Sequence, residues 1–132
     1  MLDTNICIHI IRQKPPSIIA RFHDFAPQDL CISSVTLAEL EYGVEKSAFP
    51  EKNRLALAMF LAGITVLPFD HAAAAEYGRI RVRLEKTGMP IGSNDLLIAA
   101  HARSLGLPIV TNNAREFLRA EGLTVENWVS SV

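Results

Sequence analysis

The sequence predicts an α/β domain with a central, mostly parallel sheet covered by helices on both faces. Its apolar segments Leu30-Cys31-Ile32-Ser33, Thr65-Val66-Leu67, Pro108-Ile109-Val110-Thr111 and Leu123-Thr124-Val125 are short, as strands buried on both faces are. Stretches with helical spacing separate them, the alternation that builds parallel sheets. The chain has 132 residues, 49% hydrophobic and 20% charged. That suits a single domain over 1–132 with one substantial core.

The elements follow in order. Met1-Leu2 runs into Asp3-Thr4-Asn5, which reads as a very short strand ending at Asp3 with a helix starting at once. Residues 6–11 continue that helix until Lys14-Pro15-Pro16 stops it. Residues 17–25 carry Ile18, Ile19, Phe22 and Phe25 at helical spacing, and 26–29 turn the chain into the strand at Leu30. A helix over 37–46 is broken by Phe49-Pro50. The next, over 51–62, has Leu55, Met59 and Phe60 on its apolar side. After the strand at Thr65, Asp70 is placed to cap a helix over 72–86, which Gly88 and Pro90 end. Ser93 or Asn94 is expected to cap a helix reaching Leu105, apolar nearly all round and so central and buried. Beyond the strand at Ile109, a short helix over 114–120 precedes the last strand.

Composition excludes several classes. Thirteen basic against fourteen acidic residues give a net charge of -1, so no global basic field advertises nucleic acid and such a partner needs a local patch. Cys7 and Cys31 fit no zinc spacing and are expected to be buried free thiols of a reducing cytoplasm. The apolar stretches are too short and interrupted for a signal peptide or membrane span. No Gly-rich phosphate loop follows any strand, which counts against a nucleotide-binding Rossmann or P-loop protein.

Three acids stand where strands hand over to helices. Asp3 ends the first strand, Glu39 lies early in the helix after the second, and Asp95 opens the buried helix. Each also has a structural account. Asp3, Thr4 or Asn5 can cap the first helix, Thr36 to Glu39 matches a capping box, and Asp95 complements a helix dipole. Taken together, a parallel sheet puts all three at its carboxyl edge, where ligands of open α/β sheets bind. Clustered carboxylates raise one another's pKa and call for a cation. Hard oxygen ligands without His or Cys suit Mg²⁺ or Mn²⁺. Such an ion activates water and stabilises a phosphodiester under attack. Thr111-Asn112-Asn113 and Ser93-Asn94 lie at the same edge, where they can hold a water or cap a helix.

These motifs resemble those of PIN-domain ribonucleases, most closely the VapC toxins of bacterial type II toxin–antitoxin pairs, over essentially the whole chain. The residues that carry the likeness are Leu2-Asp3-Thr4-Asn5 and Ser34-Val35-Thr36-Leu37-Ala38-Glu39-Leu40-Glu41-Tyr42-Gly43. It continues through Ile91-Gly92-Ser93-Asn94-Asp95-Leu96-Leu97-Ile98-Ala99-Ala100 and Val110-Thr111-Asn112-Asn113 with Phe117 just beyond. The resemblance implies the PIN three-layer fold, a homodimer and a cognate VapB-like antitoxin. It implies an endoribonuclease cutting a tRNA or rRNA loop, with Asp3, Glu39 and Asp95 as the catalytic, metal-binding acids. Thr4, Asn5, Ser93, Asn94, Thr111 and Asn113 would support them. Many relatives carry an acid in the fourth motif where this chain has Asn112 and Asn113. A groove for the antitoxin is expected between helices bearing Ile18, Phe22, Leu55 and Phe60.

Other residues carry less. Glu41 should face away from Glu39, and Gly43 would let backbone approach near that acid. Arg79, Arg81, Arg83 and Lys86 make the densest basic stretch, an RNA-phosphate contact or a solvated helix face. No ligand spacing links His9, His23, His71 and His101. Trp128 is expected to pack on the core. Met1 stands on the first strand, which leaves room for a slightly longer native N-terminus. Two rival readings share the residues. One is a catalytically weak RNA-binding or protein-interaction PIN module, against which the retention of all three acids argues. The other is a haloacid dehalogenase-type phosphatase, which wants an Asp where this chain has Asn5.

Overall fold

Period two decides the layers. Successive residues on a strand face opposite sides of a sheet, and here each apolar pair divides between two cores. Met1, Cys31, Leu67, Ile109 and Val125 pack into one, and Leu2, Ile32, Val66 and Val110 into the other. The computed structural model describes residues 1–128. Its strands are β1 (Cys31–Ser33), β2 (Thr65–Leu67), β3 (Ile109–Val110) and β4 (Val125–Glu126). β1 pairs with β2 and β3 with β4, both parallel.

Residues 1–3 join the two pairs. The Leu2 N–H donates to the Cys31 carbonyl (2.9 Å), the Asp3 N–H to the Val110 carbonyl (2.9 Å), and the Val110 N–H to the Met1 carbonyl (2.8 Å). The order across the sheet is therefore β2, β1, residues 1–3, β3, β4. The expected first strand is present, but only as the single parallel bridge from Leu2 to Val110.

Among the described residues seven helices cover this sheet: α1 (Thr4–Arg12), α2 (Pro16–His23), α3 (Ser34–Lys46), α4 (Pro50–Leu61), α5 (His71–Thr87), α6 (Ser93–Ser104) and α7 (Ala114–Phe117). Ile80, Leu84, Leu96, Ile98 and Phe117 bring α5, α6 and α7 onto one face. Ile6, Ile10, Ile18, Leu40, Leu57 and Phe60 bring α1 to α4 onto the other. The local signals explain the boundaries. Gln13 takes the left-handed conformation after α1, and Pro16 opens α2. The Asp70 carboxylate caps α5 by accepting from the Ala73 N–H, and Gly88 ends it at φ 67°. Among the described residues, no helix is long and apolar enough to cross a membrane.

Several local expectations are corrected. Ser33, not Thr36, caps α3, accepting from the Val35 N–H at 3.0 Å. Thr36 lies inside the helix and is buried, so Glu39 belongs to no capping box. Neither Ser93 nor Asn94 caps α6. Both lie within it, and Gly92 precedes it without a side-chain cap. On α4 the buried side is Leu57 and Phe60, while Leu55 and Met59 are exposed. Ile18 is fully buried, so it belongs to the core and not to a groove. Both cysteines are free, but Cys31 is only half-buried. At Gly43, a Cβ would meet nothing within 4 Å, so no backbone crowds it.

One buried polar contact fastens α6 to the sheet. His101, 1% exposed, sets Nδ1 2.8 Å from Ser33 Oγ and its ring edge-on to Phe69. Burial lowers its pKa, against the Asp70 charge and the Pro68 carbonyl that raise it. The neutral ring is thus the folded form. Its stabilisation is complete above the ordinary value near 6.5 and is lost as pH falls through the depressed folded value. His101→Asn keeps a group for Ser33 but cannot titrate. It should lower stability at pH 7 by about 1–3 kcal/mol, and the gap to the wild type should narrow as urea unfolding is repeated towards pH 5. A gap that stays constant with pH would contradict the assignment.

Candidate active site

Asp3 is held by the chain on either side of it. As the N-cap of α1 its Oδ1 accepts from the Ile6 N–H at 2.9 Å, and its own N–H is in the sheet. It is 2% exposed. Burial raises its pKa and the Glu39 charge adds to this, while the Thr111 hydroxyl, the Ile6 N–H and His9 act against them. The Thr111 hydroxyl also accepts from the Asn113 N–H at 2.8 Å. One buried hydroxyl thereby couples β3's end to Asp3. Thr4 donates from Oγ1 to Glu39 Oε1 at 2.5 Å, with the Thr36 hydroxyl 3.3 Å away. Asn94 donates from Nδ2 to Glu39 Oε2 at 3.1 Å. Glu39 is therefore gripped from α1 and from α6.

Asp95, in the first turn of α6, has its pKa raised to about 6. Burial is the main cause, followed by the charges of Glu116, Asp3 and Glu39. Glu116 was not singled out in the sequence. It comes from α7, accepts from the Gly92 N–H at 2.6 Å through Oε1 and from Asn113 Nδ2 at 2.6 Å through Oε2. A Cβ on Gly92 would sit 3.4 Å from Glu116 Oε1 and 3.9 Å from Asp95 Oδ2, so both carboxyl groups reach the same spot. Asn113 stands at the N-cap position of α7 but makes no capping bond. Its amide instead aims a carboxylate. The signal for Glu116 was its spacing three residues beyond Asn113, one helical turn into α7.

Of the acids, Glu39 and Asp95 line a cleft of about 870 Å³, while Asp3 and Glu116 do not; its walls include Thr4, Asn5, Ile8 and Arg12 from α1 and Glu39, Tyr42, Gly43 and Lys46 from α3. Asn94 and Asp95 close it from α6. Ser93 lies at the start of α6 but does not line it. The basic stretch on α5 is elsewhere: Arg79 pairs with Glu76 and Arg83 with Glu121, and neither they nor Lys86 reach the cleft. As expected, Glu41 faces away, pairing with Arg54 on α4.

Carboxylate oxygens with hydroxyl and amide neighbours are hard donors of the kind Mg²⁺ and Mn²⁺ take. Burial first, and neighbouring carboxylate charge second, raise the pKa values of Asp3 and Asp95, and a divalent cation would offset both. The donor chemistry therefore fits such an ion. As placed, no three His, Cys, Asp or Glu side chains among the described residues form a ready-made metal cage. Thr4 and Asn94 hold Glu39, and Gly92 and Asn113 hold Glu116. Binding one ion jointly requires these side chains to turn from those partners.

The family model of the PIN domain matches residues 1–123, and the chain belongs to that family. Among relatives, it is 53% identical over 128 residues to the tRNA(fMet)-specific endonuclease VapC of Shigella flexneri, covering 97% of this chain and 96% of the relative. It is 50% identical over 129 residues to ribonuclease VapC2 of Haemophilus influenzae, covering 98% and 97%. Solved structures agree. VapBC2 from Rickettsia felis, bound to a DNA fragment from its promoter, superposes with a TM-score of 0.92 at 41% identity, over 98% of both chains. DNA-bound VapBC from Salmonella typhimurium gives 0.92 at 47% identity, over 98% and 97%.

Burial of Asp95, reinforced by the charges of its acidic neighbours, sets a pH dependence. Asp95 has a folded pKa above its unfolded one, so its contribution is most favourable below the ordinary value and is lost as pH rises through about 6. Metal-free protein should therefore lose stability between pH 4 and 7 through this group. Asp95→Asn should melt higher than wild type at pH 8 and show a flatter profile. A lower melting temperature for Asp95→Asn at pH 8 would refute the repulsion.

Proposed function

We propose that the chain is a Mg²⁺- or Mn²⁺-dependent endoribonuclease, the toxin of a type II toxin–antitoxin pair. The observation that carries this is the meeting of Asp3, Glu39, Asp95 and Glu116, from four parts of the chain, at the carboxyl edge of a PIN-domain sheet. The relatives named as ribonucleases support the reaction class. A divalent ion held by these carboxylates would supply positive charge at the phosphodiester and lower the pKa of the attacking water.

The chain's own residues do the positioning. The Ile6 N–H and the Thr111 hydroxyl fix Asp3, Thr4 and Asn94 steady Glu39, and Asn113 keeps Glu116 beside Asp95. These contacts keep each acid near its working position, and binding an ion would turn Glu39 and Glu116 the remaining way from their partners. For the substrate we take a tRNA loop, since unpaired loops expose readable bases and the Shigella relative is named for tRNA(fMet).

The partner we propose is a VapB-like antitoxin, as the neighbouring VapBC structures suggest, with the toxin itself a homodimer. An apolar groove between α1, α2 and α4, lined by Ile11, Ile19, Phe22, Met59 and Phe60, suits an antitoxin segment. An antitoxin arginine binding the acids bidentately would displace the metal.

Cleavage of tRNA in Mg²⁺, followed on a gel, tests the reading. Activity should vanish in EDTA and in Asp3→Asn, which removes charge with little change of volume. Persistence of full activity in either condition would overturn the metal mechanism. Asn113→Ala should lower cleavage about 10- to 100-fold, as loss of a partner to a ligating carboxylate does. Added to Glu116→Gln, it should cost nothing further, because Asn113 acts through Glu116. Independent, multiplying losses would show that it acts elsewhere.

A further inference from the structure

We infer that Tyr42, Lys46 and Arg12 form an RNA subsite beside the acids, in which Tyr42 stacks an unpaired base flanking the cut and the two cations take neighbouring phosphates. The inference rests on the nuclease reading and names how that site holds its strand. Along α3 the residues facing the cleft are Glu39, Tyr42, Gly43 and Lys46, the spacing of one helix face. Along α1 they are Thr4, Asn5, Ile8 and Arg12. Lys46 lies seven residues beyond Glu39 and Arg12 eight beyond Thr4, roughly 11–12 Å along each helix. The cleft is therefore acidic at one end and basic at the other.

Charge placement points the same way. Arg21, Arg54, Arg79, Arg81, Arg83 and Arg103 each lie against a carboxylate. Among the described residues Arg12, Lys14, Lys46, Lys52, Lys86, Arg115 and Arg119 make no ion pair, and of these only Arg12 and Lys46 line the cleft. A cleft lined by Glu39 and Asp95, with the charges of Asp3 and Glu116 acting on Asp95, repels a polyanion, and phosphate contacts by Lys and Arg are what offset that. Tyr42 is 65% exposed at the mouth, with Lys46 Nζ 5.0 Å from its ring centroid. Lys46 Nζ lies over one face of the ring, which leaves the opposite face of this exposed side chain for a base, and an exposed aromatic ring beside cations is the arrangement on which bases stack without demanding one sequence.

The test uses a fluorescent RNA hairpin with an unpaired loop, in two arms. Binding is read by anisotropy with divalent metal withheld, so the strand stays intact, and cleavage of the same RNA is then read in Mg²⁺. Tyr42→Leu should weaken binding about 5- to 150-fold, the range one stacked base is worth, and should raise KM more than it lowers kcat. Tyr42→Phe, which keeps the ring, should bind as wild type does. Lys46→Gln and Arg12→Gln should each weaken binding and reduce the salt dependence of log Kd by about one ion. Circular dichroism confirms that each variant is folded. Binding unchanged in Tyr42→Leu, or equally weakened in Tyr42→Phe, would overturn the stacking role. Unchanged salt slopes would overturn the phosphate role. Wild type that binds with these dependences but does not cut would uphold the subsite and refute the nuclease. Wild type that cuts normally while all the variants match it would do the reverse.

Discussion

Insertion of residues 1–3 between β1 and β3 is the constraint on which the rest depends. Three backbone hydrogen bonds turn two separate strand pairs into one parallel sheet. The same insertion carries Asp3 to the carboxyl edge and starts α1 immediately behind it. Because the neighbouring strands are parallel, their following helices begin at that edge too, so α3 brings Glu39 and the end of β3 brings Thr111. Leu2 is fully buried between the helical layers, and the hydrophobic burial that anchors it also anchors the acid next door. Position and chemistry are therefore fixed by one packing event.

The cost of the arrangement is electrostatic. Asp3, 2% exposed, feels the charges of Glu39 and Asp95, and its burial disfavours ionisation. The fold accepts this because hydroxyl, amide and backbone N–H donors satisfy the oxygens; among the described residues no buried side-chain polar atom lacks a partner. Ion pairs elsewhere, such as Arg54 with Glu41, are exposed and contribute little stability each. Within the cleft, by contrast, Glu39 and Asp95 share the walls with Arg12 and Lys46.

The sequence carried the layers because strand and helix periods differ. The short apolar runs at Ile32, Val66 and Ile109 could be read as strands, and the nearly all-apolar stretch from Leu96 as the buried helix. Asp3, Glu39 and Asp95 were legible because each follows a strand end. Capping was less so. Ser33, Thr36, Ser93 and Asn94 all have capping chemistry, and only tertiary contacts decide that Thr36 meets Thr4 and Asn94 meets Glu39. Glu116 was hidden because attention to the fourth motif fell on Asn112 and Asn113, while the carboxylate arrives a helical turn later. Arg12 and Lys46 were missed for another reason. Their clustering is spatial, across two helices, whereas Arg79, Arg81 and Arg83 cluster only in sequence.

In the proposed mechanism these carboxylates share one electrostatic site that a divalent cation would relieve. Carbon-13 NMR of the labelled Asp95 carboxyl group, titrated with pH in EDTA and again in Mg²⁺, tests it most directly. The account predicts a midpoint near 6 without metal, moving well down into the ordinary carboxylate range with metal, and a smaller metal effect in Glu116→Gln. A midpoint already near 4 in EDTA, unmoved by Mg²⁺, would contradict it.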